Sequence, residues 1–233
     1  MTSTPTSTDM AEIEAVIFDL DGVLADTEAV HLDASRKVIA PAEMALDQYF
    51  QFVGGGWDPY VNWIEVTYGI PGEEFSERYT SAILEALRFG PSPAMAGADA
   101  VVRAVVRRDL RIAVASMSKL EWVEPTLEAI GLRELFPLVV TLDDIENPKP
   151  DPEIYLHAAA LLGVAPEACL AVEDSVHGVA SAAAAGMRVV QLRQASIPSA
   201  PQPGAHVVID SFREFDLGWL EGRAIAPRMS PSH

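Results

Sequence analysis

Six short runs of apolar, largely β-branched residues limit what this chain can become: 15–20, 112–116, 138–142, 169–173, 188–192 and 206–209. None alternates polar with apolar, so each reads as a strand buried on both faces, which is the signature of parallel pairing. Helix-like segments separate most of them. Asp151 reads as a helix cap with Pro152 at the first helical position and Gly163 as the stop. "WVEPTLEAIGL" stops at Gly131 and the Ala-rich "VHGVASAAAAGM" stops at Gly186. Strands alternating with helices predict an α/β fold, a doubly wound parallel sheet of Rossmann type. With 49% hydrophobic residues in 233, the chain has enough apolar surface for such a core.

One gap breaks the rhythm. From Ala25 to about Pro93 the pattern is helical, with no convincing buried strand, and the stretch is far longer than a loop of about 4–6 residues. It reads as a helical insertion after the first strand, with Pro91 and Pro93 marking the return. The expected organisation is a core of 13–25 and 94–222, a helical cap of 26–93, and flexible tails at 1–12 and 223–233. An insertion there would lie over the carboxyl ends of the strands, where open α/β sheets bind ligands.

The first run ends in "VIFDLDGVLADTE", with Asp19 and Asp21 flanking Leu20. Period-2 alternation would send both carboxylates to one side, where they repel each other and cost desolvation energy. Taken alone, an Asp-x-Asp-Gly reads as a turn. Three later strand ends change that. Ser116 closes the second run and can hold a phosphate together with following backbone N–H groups. Lys149 sits between prolines in "NPKPDPE". It is one of three lysines, with Lys37 and Lys119, against 13 arginines. In a chain that mostly uses arginine, two lysines in strand-end loops suggest a use for compact point charges. Glu173 and Asp174 close "CLAVEDS", and one hard divalent cation would offset the repulsion in both acid clusters. The five histidines have no zinc-type spacing.

These four motifs in order, "DLDGV", "ASMS", "KPDP" and "VEDS", resemble the haloacid dehalogenase superfamily, in its group with a helical cap after the first motif. The resemblance spans the chain except its tails. It implies a phosphatase of the phosphatase/β-phosphoglucomutase-like group. Asp19 would be the nucleophile that forms an aspartyl-phosphate, and Asp21 the general acid–base. Ser116 and Lys149 would hold the phosphoryl oxygens, with Met117 and Lys119 beside them. Mg²⁺ would bind Asp174, Glu173, Asp19 and the backbone carbonyl of Asp21. "ADTEAVH" matches the hinge into the cap, with Asp26 closing a hydrogen bond and Glu28 and His31 facing the entrance.

The cap says less. Trp57, Tyr60, Ile64 and Tyr68 fall at helical spacing and read as a buried face, with Trp57, after the three glycines 54–56, also a candidate platform for substrate. Arg36, Lys37 and Arg78 read as a solvated face. A dehalogenase is disfavoured because those relatives lack the second aspartate, and a phosphonate hydrolase because no cap lysine fits. A β-phosphoglucomutase-type mutase remains as an alternative on "ASMSK", although "GGGWDP" stands where such mutases carry an arginine. A non-catalytic regulator that binds a phosphometabolite is the alternative from another class.

The net charge of −18 argues against nucleic acid and anionic membranes, and the resemblance implies a small phosphorylated metabolite as the partner. A polar N-terminus, no membrane-length apolar run and a single Cys169 lead to an expectation of a cytoplasmic protein, with the oligomeric state open and a monomer slightly favoured.

Overall fold

All six apolar runs become strands. A computed structural model describes residues 12–52, 57–196 and 199–221. Strands β1 (Ala15–Phe18), β2 (Arg111–Ala115), β3 (Leu138–Val140), β4 (Cys169–Glu173), β5 (Arg188–Leu192) and β6 (Val207–Ile209) form one parallel sheet in the order β3-β2-β1-β4-β5-β6. Phe18 pairs in register with Val114 on one side and Val172 on the other. Alternate residues of each strand go to opposite faces. Val16, Phe18, Val114 and Val172 join one apolar cluster, and Ala15, Ile17, Ala113 and Ala171 join another. Burial of both faces is why these strands carry no polar alternation.

The first run was expected to extend to Leu20, but pairing stops at Phe18. The chain folds back at once: the Leu24 and Ala25 N–H groups both donate to the Leu20 carbonyl, and Gly22 takes φ +80°. Asp19 and Asp21 are therefore not successive strand residues on one side, and period-2 alternation does not govern them.

Among the described residues, four helices fill the gap after β1: α1 (Glu28–Ile39), α2 (Leu46–Phe50), α3 (Trp57–Tyr68) and α4 (Gly72–Phe89). They enclose an apolar cluster of their own that includes Leu32, Tyr60, Ile64, Phe75, Tyr79 and Ile83. Two antiparallel stretches join them to the sheet. Asp26 N–H donates to Pro93 O at 2.7 Å and Met95 N–H to Leu24 O at 2.9 Å.

Helices α5 (Ala98–Val106), α6 (Leu120–Ala129), α7 (Glu153–Leu162) and α8 (Val176–Ala184) complete the layers. Trp122 of α6 leaves its own layer and enters the insertion's cluster. Pro152 takes the cap place of α7 rather than its first helical position, yet Asp151 still accepts the Glu153 N–H at 3.0 Å. Gly131, Gly163 and Gly186 all follow helices with positive φ, as their stop positions require. The predicted tails, apart from Glu12, and the glycines 54–56 lie outside the described residues.

Candidate active site

The strand order reverses at β1, which lies between β2 and β4, so a crevice opens at the carboxyl ends of these strands. The four sequence motifs meet there. Asp19 leaves β1 and is 6% exposed. Lys149, from the loop before α7, reaches it through buried space. Its Nζ donates to Asp19 Oδ1 at 2.6 Å, Glu173 Oε1 at 2.5 Å and Ala115 O at 3.0 Å. An ammonium has three N–H donors, and all three have acceptors here.

Glu173 is fully buried at the end of β4. Its Oε1 accepts from Lys149 and from the Tyr155 hydroxyl at 2.8 Å, and its Oε2 from the backbone N–H groups of Asp174 and Ser175. Such donors are what make a buried carboxylate tolerable. Space was reserved for it: a Cβ on Gly178 would lie 1.8 Å from Oε1. Gly22 does the same for Asp174, since its Cβ would lie 2.1 Å from Oδ2.

Asp19, Glu173 and Asp174 each offer a carboxylate oxygen within 4.8 Å of the others. Burial pushes the Asp19 carboxyl well above its ordinary range, with Lys149 opposing and Glu173 and Asp21 adding repulsion. Burial also raises Asp174, helped by Glu173 and Asp19. Three crowded acids with one ammonium among them make a site short of positive charge. The all-oxygen donor set suits a hard divalent cation.

Asp21 is held differently. Its Oδ1 accepts from the Thr27 hydroxyl and lies 3.6 Å from His31 Nε2. Its Oδ2 accepts from Ser118 Oγ at 2.8 Å and Ser116 Oγ at 3.2 Å. Burial alone would raise its pKa, but the neighbouring His31 imidazole, with the Thr27 and Ser118 hydroxyls, brings it down to about 2. Burial pulls His31 the other way, and Asp21 outweighs it, so the imidazole is raised. The expected phosphate ligand Ser116 thus donates to Asp21 in this structure.

Above these groups lies a cleft lined by Glu28, His31, Trp57 and Tyr79 from the insertion and by Met117 and Trp122 from the core. Glu28 accepts from the Tyr49 hydroxyl at 2.8 Å, and His31 Nδ1 meets the Tyr79 hydroxyl at 2.6 Å. Trp57 is half-buried. Its ring packs against Tyr79 at 4.9 Å and Trp122 at 4.7 Å, so it serves the packed face and the cleft wall together. Tyr60 and Ile64 are buried as expected, and Tyr68 is only half-buried.

Lys119 Nζ lies 5.7 Å and 5.6 Å from the ring centres of Trp57 and Trp122, both of which line the cleft. Asp26 is at the junction, where its Oδ2 accepts from Ser196. Arg36 donates to Met44 O, Lys37 pairs with Glu85, and Arg78 donates to Glu74 and Val38 O. Sequence reasoning missed Thr27, Tyr49, Tyr79, Trp122 and Tyr155. A tyrosine or tryptophan in an apolar helix reads as core, and only its polar tip gives a signal, because a buried hydroxyl or indole N–H needs a partner.

The family profile of haloacid dehalogenase-like hydrolases matches residues 13–186. The putative phosphatase YhcW of Bacillus subtilis (strain 168) is 35% identical over 184 residues, covering 76% of this chain and 82% of that protein. Hexitol phosphatase B of Escherichia coli (strain K12) is 30% identical over 191 residues, 77% and 83% of the two chains. The crystal structure of CbbY from Rhodobacter sphaeroides in complex with phosphate superposes with a TM-score of 0.82 at 28% identity, over 90% of this chain and 99% of that one.

Proposed function

The chain belongs to the haloacid dehalogenase-like hydrolases and is a phosphatase, and from that premise we propose that it hydrolyses a small sugar or sugar-alcohol monophosphate through an aspartyl-phosphate on Asp19. The observation that carries this reading is the buried contact of Lys149 with Asp19 and Glu173 at the floor of an aromatic cleft. Asp19 Oδ attacks phosphorus, the bond to the leaving alcohol breaks, and Asp21 gives that oxygen a proton. The resting Asp21 is ionised. An arriving phosphoryl dianion raises the pKa of a neighbouring carboxyl, so Asp21 takes up a proton from solvent as substrate binds and carries it to the leaving oxygen. Asp21 then takes a proton from the water that attacks the acyl-phosphate. Lys149 and Ser116 grip the phosphoryl oxygens, and Ser116 exchanges its bond to Asp21 for one to phosphate.

Asp19, Glu173 and Asp174, with the backbone carbonyl of Asp21, are the groups that would hold Mg²⁺. When bound, the ion screens the anionic nucleophile from the anionic phosphate. The helical insertion acts as a cap over the cleft, hinged at Asp26 and Pro93. The protein is read as cytoplasmic, with the oligomeric state open and a monomer slightly favoured; none of the described helices is long and apolar enough to cross a membrane.

The cleft favours a neutral leaving group. Aromatic faces suit C–H surfaces, and the Glu28–Tyr49 and His31–Tyr79 pairs suit hydroxyls. Lys149 lies at the floor of the cleft, committed to Asp19 and Glu173, and Lys119 is held over the Trp57 and Trp122 rings at its wall. The residues between Phe52 and Trp57 are valine and three glycines, so they add no charge. A mutase must grip a second phosphate, which calls for a free cation. The test is phosphate release from a panel of sugar and polyol monophosphates with Mg²⁺. In parallel, β-glucose 1-phosphate is supplied with a bisphosphate primer. Turnover of the panel supports the reading, and fast formation of glucose 6-phosphate with little free phosphate overturns it.

A further inference from the structure

Lys149 donates to three acceptors at 3.0 Å or less, so all its protons are committed. The Tyr155 oxygen lies 3.5 Å from the same Nζ, too far to take a fourth share. The hydroxyl proton of Tyr155 therefore goes to Glu173 Oε1, at 2.8 Å. Tyr155 is fully buried on α7, with its ring centre 5.0 Å from Nζ. It meets the ammonium with its ring and the carboxylate with its hydroxyl.

We infer that Tyr155 is a positioning residue that shares Glu173 with Lys149 and so leaves the lysine free to turn from its acid partners to the phosphoryl group. A phosphoryl oxygen can gain a hydrogen bond from Lys149 only if an existing acceptor gives one up. Glu173 Oε1 is a full carboxylate oxygen at 2.5 Å and competes hardest. The Tyr155 proton on that oxygen offsets part of its charge and weakens its hold. Glu173 Oε2 stays fixed by Asp174 and Ser175, so the exchange occurs at one oxygen. The inference rests on the reading of Lys149 as the phosphoryl grip.

The substitution Tyr155→Phe removes the hydroxyl and keeps the ring. Three quantities are measured: kcat, the affinity for inorganic phosphate in Mg²⁺ by calorimetry, and the affinity for Mg²⁺ alone. With one charge-assisted hydrogen bond lost, kcat and phosphate affinity should each fall about tenfold, while Mg²⁺ affinity, touched only through Glu173, should fall by clearly less. Tyr155→Leu, which also loses the ring, should weaken phosphate binding further. Unchanged kcat and phosphate affinity in Tyr155→Phe would overturn the inference. So would equal losses of Mg²⁺ and phosphate affinity together with a lowered Tm, because that pattern marks a packing role. If the wild-type protein neither binds phosphate nor releases it from any monoester, the phosphatase reading fails first and Tyr155 falls with it.

Discussion

Asp19 and Asp21 are two residues apart, yet their surroundings push their acidities in opposite directions. Burial raises Asp19, whereas His31 and two hydroxyls hold Asp21 at about 2. If the two have the proposed roles, they fail differently. Asp19→Asn loses the nucleophile, and phosphate release should fall by about 10³-fold or more while the circular dichroism spectrum is kept. Retention of near wild-type turnover would refute the role. His31→Gln removes the cation beside Asp21, so the Asp21 pKa should rise toward its ordinary 3.8, read by carboxyl ¹³C shifts. The sign for stability follows. The depressed Asp21 stabilises the fold above 3.8, and that contribution is lost as pH falls through about 2. An Asp21 titration unchanged by His31→Gln would show that the hydroxyls alone hold it. The acids and Lys149 were legible in sequence because carboxylates and ammonium groups at the ends of apolar runs demand compensation. Tyr155, Tyr79 and Trp122 were not, because most of such a side chain is apolar and the pattern records only its burial.

At the scale of elements, the strands were legible to within a residue or two, except where the chain turns at Leu20. Non-alternating apolar runs have one stable setting, between two layers, whereas a turn is set by local backbone bonds that periodicity does not record. The helical insertion was legible as a break in rhythm. Its attachment through α6 was not. Trp122 packs in the insertion's cluster and donates from its indole N–H to Thr80 of α4 at 3.0 Å. The same stretch of chain carries Ser118, which holds Asp21. Movement of the insertion on its two-stretch junction must therefore break or carry the Trp122 contact. Binding of Mg²⁺ with a phosphate-mimicking fluoride complex should slow amide exchange in α1 and α4 and at 24–26 and 93–95. Thr80→Val should reduce that protection without altering Mg²⁺ affinity. No change in protection on proven binding would argue against a moving cap.

For the whole molecule, the net charge of −18 and the crowded acids at the sheet's switch point act in the same sense. Both leave the metal-free protein short of positive charge. Asp19 and Asp174 have folded-state pKa values raised well above 3.8. Between the unfolded value and the raised one, the folded protein holds more protons than the unfolded chain. Its stability therefore falls as pH rises through that window. Mg²⁺ at the cluster should remove the penalty, because the carboxylates then ionise against a cation. The Tm gain from Mg²⁺ should thus be small near pH 4, where these acids stay protonated, and grow toward about pH 8. General screening of surface repulsion by salt also stabilises, but it should depend much less on these two groups. A KCl control at matched ionic strength separates the two effects. Asp174→Asn should abolish the pH-dependent part of the Mg²⁺ gain and keep the KCl response. A Mg²⁺ gain that is flat with pH, or that survives in Asp174→Asn, would place the ion away from Asp19, Glu173 and Asp174, and would leave the repulsion among them without the compensation that the sequence calls for.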